Sequence, residues 1–163
     1  MSMADDARSP LSAAEIDALR AVAGTMIPAD PELGLPGADD PAILEDIATS
    51  AGRDLPLVRE ALAGIAERAS AAAACPFAGL DRGRREALIN AYHASGAAPI
   101  MALGRVALGA YYRDDRVLAA LGHEARPPFP RGYITEPGDW SLLDAVRRRP
   151  PFWRDDRAGT KSP

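Results

Sequence analysis

Residues 54–76 read Asp-Leu-Pro-Leu-Val-Arg-Glu-Ala-Leu-Ala-Gly-Ile-Ala-Glu-Arg-Ala-Ser-Ala-Ala-Ala-Ala-Cys-Pro. Asp54 is a helix-capping residue type, and Pro56 falls in the first turn, where its missing N–H costs no hydrogen bond. Leu57, Val58, Ala61, Leu62, Ile65, Ala66, Ala69, Ala72 and Ala73 then recur at helical spacing until Cys75-Pro76 breaks the run. A long helix is expected here. The small alanines on its stripe would let neighbouring helices approach closely.

The same grammar repeats on both sides. Upstream, Asp40-Pro41 is a cap followed by a first helical position, with Ile43, Leu44 and Ile47 on one side and Gly52 as the stop. Before it, residues 28–38 hold three prolines and two glycines, which predicts turns. Ser12 and Glu15 have the capping-box spacing, and Ile16, Leu19, Ala23, Met26 and Ile27 form a stripe that Pro28 ends. Downstream, Asp81 caps a fourth helix carrying Leu88, Ala91 and Tyr92 and closed by Gly96. A fifth opens near Pro99 with Leu103, Ala107, Ala110 and Tyr111. A short sixth, capped by Asp114 or Asp115, carries Val117, Leu118 and Leu121 and ends at Gly122.

Residues 123–163 differ in kind, with seven of the fifteen prolines and five of the nine aromatic residues. Pro127-Pro128-Phe129-Pro130 favours an extended path, and only Asp139 to Arg149 can form a short helix, with Leu142, Leu143 and Val146 on one side. The expected fold class is all-α, a compact bundle of about five to six helices with an extended Pro/aromatic-rich C-terminal arm. Residues 1–10 are expected to be a disordered N-terminus, 11–122 the helical domain and 123–163 an arm that wraps a partner.

Composition narrows the function. A net charge of −4 argues against nucleic acid, since a phosphate-binding face needs a basic excess. The charge is asymmetric: residues 1–60 hold 12 acids against 4 bases, and the remainder 11 against 15, a pattern that can orient an encounter or simply solvate the first helices. Cys75 stands alone, so no internal disulfide or multi-cysteine metal site is expected. Asp5, Asp6, Arg8, Glu15 and Asp17 interrupt the start of the chain where an export signal would be apolar, and no 18-residue apolar run exists, so a cytoplasmic protein with no membrane partner is expected.

Catalytic patterns are missing. His93 and His123 lie on different elements without ligand spacing, and neither Gly-x-Ser-x-Gly, a phosphate loop nor a dinucleotide fingerprint occurs. The Asp39-Asp40, Asp114-Asp115 and Asp155-Asp156 pairs read as caps or solvated tail residues rather than as an acid and a base. No catalytic, cofactor-binding or metal-binding residue is assigned, and the isolated chain is expected to be inert. The candidate site is the arm. Phe129, Tyr133, Trp140, Arg147, Phe152 and Trp153 are of the types that dominate binding hot spots, and left uncovered they would promote aggregation. A partner, or the chain's own helices, would cover them. Two other readings stand beside this one: a small-ligand binder or enzyme using Tyr92, His93, Tyr111 and Tyr112 between the fourth and fifth helices, or a homodimeric helical adaptor.

The first helix running into Gly24-Thr25-Met26-Ile27-Pro28-Ala29-Asp30 and then Pro36-Gly37-Ala38 resembles the gluconate 2-dehydrogenase subunit 3 family. Two further stretches are similar to that family: Phe77 to Leu88, and Tyr111-Tyr112-Arg113-Asp114-Asp115-Arg116-Val117 continuing into Leu121-Gly122 and Gly132-Tyr133. The resemblance implies a small, non-catalytic, stabilising subunit without a cofactor of its own. Its partner would be a large FAD-binding oxidoreductase of the glucose–methanol–choline type, acting on a sugar, glycoside or other alcohol. Family members often carry a twin-arginine export signal. Here Arg8 stands alone with no apolar segment after it, which implies a cytoplasmic complex.

Overall fold

A computed structural model describes residues 10–126, 132 and 134–150. These form seven α-helices and no strand: α1 (Ala13–Met26), α2 (Pro41–Ser50), α3 (Leu55–Ala73), α4 (Arg82–Ala94), α5 (Ala98–Tyr111), α6 (Asp115–Ala120) and α7 (Asp144–Arg147). Tight 3-10 turns occupy Gly52–Asp54, Phe77–Gly79 and Trp140–Leu143. The chain is all-α, as its periodicity indicates. It divides after Arg126 into two units, the first holding α1 to α6 and the second α7.

Local chemistry sets the helix starts. At α1 the Glu15 N–H donates to Ser12 Oγ at 3.3 Å, while the Glu15 carboxylate accepts from the Ser12 N–H at 2.7 Å. Asp40, Asp81 and Asp114 each accept an amide N–H in the first turn of α2, α4 and α6, at 3.0, 2.9 and 2.9 Å. Asp54 departs from that pattern. Its backbone is already helical, because it belongs to the Gly52–Asp54 turn, so its side chain makes no cap bond and pairs instead with Arg105 of α5 at 3.0 Å.

Helix α5 is the hub. It packs chiefly against α3 and α2, while α1 lies against α2, α4 and the Phe77–Gly79 turn. Ile100, Leu103 and Ala107 of α5 are fully buried, as are Ile47 of α2, Val58, Ala61 and Ala69 of α3 and Leu19 of α1. Each large aliphatic side chain withdrawn from water in this way contributes about 1.5–3 kcal/mol. The alanines at 61, 69, 107 and 110 are all buried, consistent with close helix approach.

Burial is narrower than the sequence stripe. Ala66 and Ala72 of α3 are exposed, and in α4 Ile89 is buried with Tyr92 while Leu88 is half-buried and Ala91 exposed. Alanine carries so little apolar area that its position on a stripe does not decide which way the helix faces. Leu121, expected inside, is also exposed, because α6 is only six residues long and buries Val117 alone.

Helix α3 ends on Ala74, whose φ of 51° is left-handed. Such a conformation costs roughly 1–2 kcal/mol for a residue with a β-carbon. Ala74→Gly is therefore expected to raise the melting temperature by a few degrees, measured by circular dichroism; an unchanged or lower value would show that Ala74 is not strained.

Candidate functional site

Of the arm residues, Phe129, Tyr133, Phe152 and Trp153 lie outside the described residues. Trp140 opens the Trp140–Leu143 turn and Arg147 closes α7, where its guanidinium is 3.3 Å from Asp144. The turn is set by Asp139, which accepts from the Ser141 N–H at 3.0 Å and the Ser141 hydroxyl at 2.6 Å. Those bonds, the hydroxyl's first, hold the Asp139 carboxyl below the usual carboxylate range. Every residue from 134 to 150 is exposed. Trp140 shows 66% of its surface and Leu142 75%, with Ile134 and Val146 also open.

A second region gathers on the helical unit. Residues 27–40 form a strap closed by a bond from the Ala38 N–H to the Ile27 carbonyl at 2.9 Å and by reciprocal bonds between Asp30 and Leu35 at 3.0 and 2.8 Å. The Tyr111 hydroxyl, at the end of α5, donates to the Pro36 carbonyl at 3.0 Å. Burial, then the neighbouring Tyr112 and Asp114, raises the Tyr111 pKa above its ordinary value. Gly24 and Gly37 leave room for Asp39: a β-carbon at 24 would lie 2.9 Å from its Cγ, and one at 37 only 2.2 Å from its Oδ1. Asp39 in turn shares a cleft of about 460 Å³ with Asp17, Arg20, Thr25, Arg82 and Arg85.

Next to the strap, Arg116 grips two helix starts at once. Its guanidinium meets both Asp40 oxygens at 3.0 and 2.8 Å, and both Asp114 oxygens at 3.0 and 2.8 Å. These bonds, more than charge alone, lower the pKa of Asp40 and of Asp114 against the opposing effect of burial, and raise that of Arg116. Arg113 adds a bond to Asp46 of α2 at 2.9 Å. Sequence reading assigned Asp40 its capping role and left the α6 cap to Asp114 or Asp115, but it missed the arginine that Asp40 and Asp114 share, since Arg116 and Asp40 stand 76 residues apart. A lone arginine two positions after a capping aspartate gave no local sign of it.

Groups with depressed native pKa values bind protons less readily when folded, so their contribution is complete above the ordinary carboxylate range near about 4 and fades as pH falls through the lower native values. Glu15 joins this set, lowered first by its bonds to Ser12. Arg116→Gln is expected to lower the melting temperature at pH 7 and to flatten its decline between about pH 5 and pH 2. Parallel melting curves for variant and parent across that window would refute the assignment.

The residues of the alternative reading, Tyr92, His93, Tyr111 and Tyr112, have different surroundings among the described residues. Tyr92 is buried beneath Arg68, Tyr111 reaches the strap with Tyr112 edge-on to it at 5.5 Å, and His93 is exposed. His93 lines a separate cleft of about 310 Å³ with Thr25, Met26 and Asn90. Among the described residues no side-chain hydrogen bond joins either histidine to a serine, threonine or cysteine, and no three His, Cys, Asp or Glu residues there converge as a metal site. None of the described helices is long and apolar enough to cross a membrane. No protein-family model, curated protein or solved structure matches the chain.

Proposed function

We propose that this chain is the non-catalytic small subunit of a cytoplasmic FAD-dependent oxidoreductase of the glucose–methanol–choline type, acting on a sugar, glycoside or other alcohol. The arm grips the large subunit, which binds FAD and performs the chemistry. The observation that carries the reading is the exposed series Ile134, Trp140, Leu142 and Val146, an apolar surface without cover in its own segment. The partner's class comes from the family resemblance. Support for it lies in how the three resembling stretches meet: Tyr111 bonds to Pro36, and Ala78, Arg82 and Arg85 line one cleft with Gly24 and Pro28. Residues far apart between 24 and 111 thus come together in the folded helical unit.

Co-expression with a large subunit of that class, followed by purification on a tag carried by this chain, tests the proposal. A yellow complex with alcohol-oxidising activity is expected, and this chain alone should be colourless and inert. Flavin absorbance or turnover from the isolated chain, or failure of the large subunit to co-purify, defeats it.

A further inference from the structure

Residues of α3, α4 and the segment between them line a groove of about 530 Å³ whose apolar floor is Ala72, Ala73, Leu80, Ala87, Leu88 and Ala91. Arg68 and Arg84 line the same groove. Arg84 is paired with Asp81 at 3.3 Å, but no carboxylate of the described residues lies within 4.0 Å of Arg68. The Arg68 guanidinium is nevertheless held in place. It stacks 3.7 Å from the centre of the Tyr92 ring, and one nitrogen donates to the Gly64 carbonyl at 2.8 Å.

Gly64 makes this arrangement possible. A β-carbon there would lie 3.0 Å from the Tyr92 hydroxyl and 3.1 Å from Arg68 Nη1. Glycine inside a helix is destabilising relative to alanine, so its presence in the middle of α3 has a reason in what it accommodates. What it accommodates is an oriented cation with spare N–H donors at the edge of an apolar floor. None of the residues lining this groove belongs to the strap.

We propose that the α3–α4 groove binds a small anionic amphiphile of the fatty-carboxylate type, its chain on the alanine and leucine floor and its carboxylate on Arg68. Charge selects the head: guanidinium donors match a carboxylate's two oxygens. Size selects the body. The groove's volume falls in the range of about 300–1,000 Å³ usual for small-molecule sites. The exposed alanines of the floor leave open the area that a chain would cover.

Titration calorimetry on the full chain, with dodecanoate below its micelle concentration, is the test. Saturable one-to-one binding is expected, at least tenfold tighter than for dodecylammonium. Arg68→Gln should weaken it at least fivefold by removing the cation, and Ala91→Phe should do likewise by filling the floor while leaving Arg68 in place; melting curves of both variants verify that they fold. Absence of saturation, equal binding of the two head groups, parent-like affinity in either folded variant, or preference for an acidic helical peptide over dodecanoate overturns the proposal.

Discussion

Leu103→Ala is expected to lower the melting temperature by roughly 10 °C. Leu103 is 0% exposed and sits in the middle of α5, the helix against which both α2 and α3 pack. Truncating a fully buried leucine removes its transfer free energy and leaves a cavity that rigid helices cannot close, about 3 kcal/mol together. In a unit of this size each kcal/mol moves the transition by a few degrees. Leu108→Ala on the same helix provides the comparison, because Leu108 is 47% exposed and its loss should shift the transition little. Circular dichroism melts of the two variants decide the matter. Equal shifts would mean that α5 is not the centre of the core.

Replacing Trp140 by Ala and Leu142 by Ser together is expected to weaken association with the proposed large subunit at least about 30-fold, the effect of removing one true hot spot. A tryptophan held in a short hydrogen-bonded turn loses little conformational freedom on docking, which favours it as an anchor. Both residues are exposed, and neither belongs to the unit that contains the core, so the melting temperature of the isolated chain should not change. Surface plasmon resonance against the immobilised large subunit gives the affinity. Undiminished binding by the double variant would remove the arm from the interface, even if the subunits still associate.

Legibility in the sequence followed the range of the interactions. Ser12 with Glu15, and Asp40 and Asp81 at their helix starts, act over two or three residues, so their roles could be read directly, whereas at α6 the sequence left Asp114 and Asp115 as alternatives and Asp114 makes the bond. Facing was harder where alanine dominates: Ala66 and Ala69 are three apart on α3, yet only Ala69 is buried. Tertiary partners left no local trace. Arg116 with Asp40 and Tyr111 with Pro36 span 76 and 75 residues. Arg68 over Tyr92 likewise joins two helices whose separate patterns gave no hint of it. The arm was recognisable by its aromatic and proline content, but composition names candidate anchors without saying which surface receives them.

The strap has a practical consequence for handling the protein. Its neck is cinched at Ile27–Ala38 and again at Asp30–Leu35, while its apex, Gly34, has a φ of 67° and open space where a side chain would begin. Extra residues spliced in after Gly34 would bulge into solvent, since lengthening a loop that is already closed adds little closure entropy. That apex is the natural place for a fluorophore or affinity peptide, leaving both ends of the chain unaltered while binding of the proposed partner is followed.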